Sequence, residues 1–264
     1  TNTIDDLDTT SILKTLSEWR SRKRKPISIA TSNHYLVAVK SLSRWLYQTR
    51  LSSDDALRGL RRQNADTDRK RIRRPLTNEE LKTLTEATQQ CAKRYLGADW
   101  QFLPSDRVAL YTIASYTGLR SGEISYLSKS SFDFVNMTWT LPAIATKNRK
   151  AVTLPLHPTL ATYLQAWFAT LKRETLFPGS WVRKRMAGKM LKRDLKRAGI
   201  AYVDGGRYAD FHALRHTFIT NLARAEVHPA KAQRLARHSS INLTMNVYTS
   251  LNVDDLREDL GRLK

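Results

Sequence analysis

The sequence predicts a mainly α-helical chain with one small antiparallel β-sheet, and three observations carry that expectation. Apolar residues recur at helical spacing over long stretches: Tyr35, Leu36, Val39, Leu42, Trp45 and Leu46 between residues 28 and 49, and Leu160, Tyr163, Leu164, Trp167 and Phe168 between 158 and 171. Between Phe132 and Leu154 the pattern changes to three short stretches, Phe132 to Val135, Met137 to Leu141 and Ala151 to Leu154, which read as strands with tight connections. In Asp210 to Leu222, Leu214, Phe218 and Leu222 mark a buried helix face, while His212, Arg215 and His216 fall at i, i+3 and i+4 on a neighbouring one.

Taken in order, residues 9–24 read as a helix with Ile12, Leu13, Leu16 and Trp19 on one face, before a basic run and Pro26. The long helix of residues 28–49 follows, then a short helical piece near Asp54 to Leu60, so residues 1–62 form a small helical module. Residues 63–75 are polar, highly charged and closed by Pro75, the composition of a linker. Their charge marks them as a strap able to lie along a phosphate backbone through Arg69, Lys70, Arg71, Arg73 and Arg74. Thr77 and Glu80 have capping-box spacing and open a second domain, residues 76–264. Within it a helix through Val108 to Ala114 stops at Gly118, and the strands and the helix Pro158 to Leu171 follow. Next come a helix from about Trp181 to Ala198, a Gly-containing loop at 203–209, the Asp210 helix, and helices from Pro229, Ile241 and Asp254. Trp139, Trp167, Trp181, Tyr111 and Phe168 sit at regular apolar spacing and read as core. His157 reads as a helix start, and His34 and His228 as surface or capping residues.

Composition narrows the function. Lys and Arg total 45 against 24 Asp and Glu, a formal net charge of +21. An excess on that scale repels itself in a compact fold unless a polyanion offsets it, which points to nucleic acid ahead of a membrane surface. No stretch approaches a membrane span, and residues 1–6 have no signal-peptide character. The single cysteine, Cys91, forms no intramolecular disulfide and fits a reducing interior. A chain that starts at Thr1 without Met reads as a shortened form of a longer one. No Gly-rich phosphate loop is present, so ATP dependence has no support, and no cofactor is expected.

His212 and His216 also have the spacing of a helical zinc site. That pattern requires Glu directly after the first His, and Ala213 stands there instead, so no metal is expected. Two or three cations aimed one way are costly to hold together without an anion in front of them, and a phosphate suits a guanidinium flanked by imidazoles.

Five signatures fall in a known order: Thr117-Gly-Leu-Arg120-Ser-Gly-Glu123, Thr146-Lys147, His212-Ala-Leu-Arg215-His216-Thr, Ala236-Arg-His238-Ser-Ser and Asn246-Val-Tyr248. Together they resemble the tyrosine recombinase (phage integrase) family over residues 75–250, with the N-terminal module similar to that family's core-binding domain. The resemblance implies a DNA strand cleaved without metal or ATP through a 3′-phosphotyrosyl link, for integration or excision of a mobile element. Arg120 and Arg215 would clamp the phosphate, Tyr248 would be the nucleophile and His212 its base. Lys147 would be the acid toward the leaving 5′ hydroxyl, with Lys150 three residues away as the competitor for that place. His238 would donate to the phosphate, Glu123 would orient its neighbours, and His216 would pack behind Arg215.

The resemblance further implies duplex DNA as partner, a dimer per site pair and a tetrameric synapse, room for an accessory DNA-bending protein, and a cytoplasmic, nucleoid-associated location. The tail from Asp254 to Lys264 reads as a protein contact. A type IB topoisomerase uses the same residue types, and a DNA-binding regulator that had lost the reaction is a further alternative. There are departures from the family pattern. The N-terminal module looks short and incomplete, without a preceding arm-binding domain. Arg237 stands where most members have Gly; glycine takes backbone angles that arginine reaches only with strain. Either the turn differs or Arg237 adds a phosphate contact, and it is counted among the DNA-contacting residues.

Overall fold

The computed structural model describes residues 7–68 and 71–249. The chain divides into two compact units between Ile72 and Arg73. It is mainly helical with small sheets, and no helix among the described residues is long and apolar enough to cross a membrane.

In the N-terminal unit, α1 (Thr9–Ser21) starts where the Asp8 carboxylate accepts from the Ser11 N–H, and α2 (Ile29–Gln48) where the Ser28 hydroxyl accepts from the Thr31 N–H. Leu16, Leu36, Leu46 and Leu57 are the buried hydrophobics. The piece near Asp54 to Leu60 is a run of tight turns, not a helix. The Lys40 ammonium takes the carbonyls of Arg58 and Leu60 at 2.8 and 2.5 Å, partners that a helix there would have supplied internally.

The C-terminal unit opens at α3 (Asn78–Gln89), with the Thr77–Glu80 capping box formed in both directions. An antiparallel hairpin, Tyr95–Leu96 with Gln101–Phe102, was not legible from periodicity. α4 (Pro104–Thr117) is buried on most of its surface and carries Leu110, Tyr111 and Ile113 into the main core, where Trp139, Trp167, Trp181, Leu191 and Leu214 also lie. The core holds a fully buried ion pair, Arg107 to Asp194 at 2.8 Å. The Tyr111 hydroxyl donates to the same carboxylate, and burial and that negative charge push the phenol's pKa well up.

After the short α5 (Ser121–Ile124), the strands Phe132–Asp133, Thr138–Leu141 and Val152–Pro155 form a three-stranded antiparallel sheet with Thr138–Leu141 in the middle. α6 (Pro158–Thr170) begins at His157, whose Nδ1 accepts from the Thr159 N–H, as the sequence led us to expect. α7 (Met186–Arg197) starts later than expected. Trp181 is fully buried with its Nε1–H on the Phe177 carbonyl, and Arg185 takes a left-handed conformation that blocks a helix any earlier. The expected loop at 203–209 is a hairpin, Val203–Asp204 with Arg207–Tyr208, closed by Gly205 and Gly206 at φ 51° and 73°. α8 (Phe211–Arg224), α9 (Pro229–Ala236) and α10 (Ile241–Tyr248) complete the described residues. A small separate cluster of Ile219, Ala236 and Val247, with Phe218 and Tyr248 against it, joins these last helices. Arg69, Lys70 and the expected contact from Asp254 onward lie outside the described residues.

Candidate active site

The site is assembled around the end of α4. Gly118 caps that helix in the left-handed region, φ 63°, and a Cβ there would stand 2.6 Å from Cδ1 of Phe218. Only glycine meets both conditions. Its carbonyl is thereby turned toward α8, where it accepts from Arg215 Nη1 at 2.6 Å; Arg215 Nη2 donates to the Ala236 carbonyl at the end of α9. Arg215 is 2% exposed. Its position is set by backbone atoms of two helix ends and not by an acidic partner. Burial and the charges of Arg120 and Arg237 bring its pKa down to about 9, and it remains charged at neutral pH.

Arg120 is the residue before α5. Its N–H donates to Glu123 Oε2 at 2.8 Å and its Nη1 to Glu123 Oε1 at 2.9 Å, with the side chain 49% exposed. Burial would raise the Glu123 pKa, but the Arg120 N–H and the charges of Arg237 and Arg120 outweigh it and hold the carboxylate ionised.

α8 is capped by Asp210, which accepts from the Ala213 N–H at 3.1 Å and pairs with Arg73 Nε at 2.9 Å. This fixes the first turn, which carries His212. Burial first, then the charges of Arg73, Arg215 and Arg120, push His212 down to about 4. His238 follows α9; its Nδ1 lies 2.9 Å from the buried Thr244 hydroxyl, and its backbone is tied to Gln233 in both directions. Burial together with Arg215, Arg120, Arg237 and His212 brings it also to about 4. These mutual effects put Arg120, His212, Arg215 and His238 within electrostatic reach of one another, a cluster of two guanidinium charges and, at neutral pH, two uncharged imidazoles. His216 is half-buried beside Arg215, its pKa lowered by burial and Arg73, and its Nδ1 is buried without a hydrogen-bond partner.

Tyr248 ends α10. Its hydroxyl donates to the Val227 carbonyl at 2.6 Å, and burial raises its pKa. Lys147 is exposed in the connection between the second and third strands of the sheet, as is Lys150. Among the described residues, no hydrogen bond or ion pair links Tyr248 or Lys147 to the cationic cluster.

Two expected phosphate contacts face inward. Arg74 is 12% exposed and is committed to Glu80 at 2.8 and 2.9 Å and to the Ala201 carbonyl, because the capping-box carboxylate lies within reach of its fork. Arg237 keeps the left-handed turn, φ 54° and ψ 44°, so the turn does not differ. Its guanidinium turns in to Glu123 and the Thr117 carbonyl, each at 3.2 Å, and lies 5.4 Å from the centroid of Trp139. Such a backbone conformation costs on the order of 1 kcal/mol for a non-glycine residue. Arg73 is a third exposed and tied to Asp210, while Arg71 lies on the surface. Residue spacing could have revealed one feature that the sequence reading passed over. Lys189, Lys192, Arg193 and Lys196 occupy the exposed face of α7, at i, i+3, i+4 and i+7, opposite buried Met190, Leu191 and Leu195.

The two depressed histidines give a pH dependence with a definite sign. Between about 4 and their ordinary 6.5 the unfolded chain binds more protons than the folded one. Stability is therefore complete above about pH 6.5 and declines as the pH falls through that window. The thermal midpoint is expected to drop between pH 7 and 4.5, and to drop less in a His212→Gln/His238→Gln variant. Parallel curves for the two proteins would show that neither imidazole is held neutral.

Comparison with known proteins shows the family and the fold. The sequence model of the phage integrase family matches residues 74–254. The tyrosine recombinase XerC of Stutzerimonas stutzeri is 25% identical over 226 residues, covering 84% of this chain and 69% of that protein. The transposase of transposon Tn916 from Enterococcus faecalis is 38% identical over 52 residues, 20% of this chain and only 13% of that protein. Among solved structures, the Tn1549 transposon integrase in complex with a circular intermediate DNA superimposes with a TM-score of 0.75 at 19% identity, over 100% of this chain and 88% of that one. The XerH site-specific recombinase bound to its palindromic difH substrate gives 0.71 at 21%, over 99% and 74%. At these identities the structural likeness establishes the fold.

Proposed function

The chain belongs to the phage integrase family, and from that premise we propose that it is a site-specific recombinase that cleaves and rejoins duplex DNA of a mobile element through a 3′-phosphotyrosyl intermediate. The observation that carries this reading is Arg215, a buried guanidinium fixed by two helix-end carbonyls and surrounded by Arg120, His212 and His238. A phosphate is the ligand that such a cluster accommodates. Arg215 and Arg120 stabilise charge on the non-bridging oxygens. His238 Nδ1 shares a hydrogen bond with the Thr244 hydroxyl, which leaves Nε2 as the ring nitrogen to meet a phosphate oxygen. His212, neutral at pH 7, takes the phenol proton as Tyr248 attacks phosphorus, and the 5′ oxygen leaves with a proton from Lys147. The Tyr248 hydroxyl gives up the Val227 carbonyl for this step. Conserving the bond energy in the protein–DNA link removes any need for ATP.

The N-terminal helical unit acts as the core-binding domain, residues 63–75 as the strap, and the basic face of α7 as a contact along the backbone. The exposed run Arg22 to Lys25 supports DNA contact by the first of these. The relatives' DNA complexes support the same partner, and the recombinase reading carries with it a dimer per site pair and a tetrameric synapse.

The test is covalent trapping on nicked suicide duplexes carrying candidate sites. Wild type is expected to give a denaturation-resistant protein–DNA adduct on particular sequences, and Tyr248→Phe none. Adducts on any duplex together with plasmid relaxation would replace this reading by a type IB topoisomerase. Tight, site-selective binding without an adduct would leave a DNA-binding regulator.

A further inference from the structure

Arg237 is the feature that family membership does not account for. It combines two unfavourable conditions, a left-handed backbone and a buried guanidinium whose side chain is 10% exposed and whose Nε is unpartnered. Glycine would avoid both, so what arginine adds is its contacts and not the turn. The charged group among those contacts is the Glu123 carboxylate, which Arg120 also uses. Glu123 Oε1 accepts from Arg120 Nη1 at 2.9 Å, and Oε2 accepts from the Arg120 N–H at 2.8 Å and from Arg237 Nη2 at 3.2 Å. Arg237 also reaches the Thr117 carbonyl and packs over Trp139 in the middle strand of the sheet. It thus touches the end of α4, the start of α5 and the sheet while its own backbone leads directly into His238.

Charge shows what the contact does. An unshared Glu123 carboxylate can draw both terminal nitrogens of Arg120 into a bidentate pair and take from it the donors that a phosphate would use. With Arg237 on Oε2, the carboxylate is shared between two guanidinium groups and Arg120 is held through Nη1. Resting on the recombinase reading, we propose that Arg237 is a positioning residue: by sharing Glu123 it leaves Arg120 aimed at the scissile phosphate and fixes the His238 turn against the end of α4.

The experiment compares Arg237→Gly, Arg237→Lys and Arg237→Gly/Glu123→Gln with wild type. Single-turnover adduct formation is measured at saturating suicide duplex, and affinity by mobility shift. Arg237→Gly, which suits the turn, is expected to bind DNA within about twofold of wild type and to cleave roughly 10- to 100-fold more slowly, since misplacing a reactive group by about an ångström can cost about 10²-fold. Arg237→Lys, which keeps a charge on Glu123, recovers most of the rate. Glu123→Gln in the glycine background recovers part, which simple loss of packing would not allow. Full-rate cleavage by Arg237→Gly, a loss confined to affinity, or no recovery in either companion variant would overturn the proposal.

A wild type that forms no adduct would instead overturn the recombinase reading. The placement of Arg237 is then decided by NMR titration of His238, which faces Arg215, Arg120, Arg237 and His212. Its titration is expected to move up in Arg237→Gly and to stay low in Arg237→Lys. An unmoved titration would remove Arg237 from the site.

Discussion

Arg215→Lys is expected to slow covalent adduct formation by two to three orders of magnitude while duplex affinity changes only a few-fold, read from single-turnover cleavage and mobility shift. The physical reason is the double commitment of the guanidinium to Gly118 and Ala236. A planar fork can satisfy two carbonyls from different helix ends and still present further N–H groups to a phosphate, whereas one ammonium cannot. At least one buried carbonyl loses its partner, at about 1–3 kcal/mol, and the oxyanion loses a donor worth roughly 10²–10³ in rate. Burial and neighbouring cations already bring Arg215 down to about 9. Lysine starts roughly 2 units lower than arginine, so the same surroundings leave it partly neutral at pH 7–8. The residual rate of the variant should therefore rise as the pH is lowered from 8 toward 6.5, a window in which His212, brought down to about 4, stays neutral and adds no dependence of its own. A variant that cleaves within tenfold of wild type at pH 8 would mean that Arg215 does not hold the phosphate.

Gly118→Ala should destabilise the C-terminal unit by about 2–5 kcal/mol. The left-handed conformation costs an alanine roughly 1–2 kcal/mol, and a Cβ placed 2.6 Å from the Phe218 ring forces a repacking of about 1–3 kcal/mol. For a unit of this size the thermal midpoint falls by roughly 5–12 °C. Cleavage should suffer beyond what the stability loss explains, since the displaced carbonyl is the one that fixes Arg215. Gly122→Ala is the stability control, because nothing lies within 4 Å of its added Cβ and its backbone is helical. Calorimetry of the two variants side by side checks the claim; equal midpoints would show that neither the left-handed backbone nor the Phe218 ring resists an added Cβ.

Elements whose signals are local were legible in the sequence. The capping box at Thr77 and Glu80, the stop at Gly118 and the apolar spacing of α6 and α8 each follow from residues within a turn of one another. What was not legible depends on distant partners. Nothing near Arg73 announces that Asp210 will hold it, and a basic run looks the same whether Arg74 faces solvent or Glu80. The Tyr95–Phe102 hairpin was hidden because its strands are two residues long and carry no alternation. At Arg237 the sequence flagged the left-handed backbone but gave no sign of where the side chain goes. The turn keeps its shape because Glu123 and Trp139, 114 and 98 positions away, give the side chain an interior place.

The small apolar cluster between the last helices has a consequence for amide exchange. α4 lies in the large core, so its amides should open only with the whole unit. The apolar attachment of α10 is small, Val247 against Ile219 and Ala236 with Phe218 and Tyr248 beside them, and two hydrogen bonds add to it, Thr244 with His238 and Tyr248 with the Val227 carbonyl. Its sub-global opening therefore requires a small fraction of the unit's unfolding free energy. The phenol rides on a helix held by the small cluster, while the guanidinium that would receive the phosphate is carried by α8, whose Phe211, Ala213 and Leu214 lie in the large core.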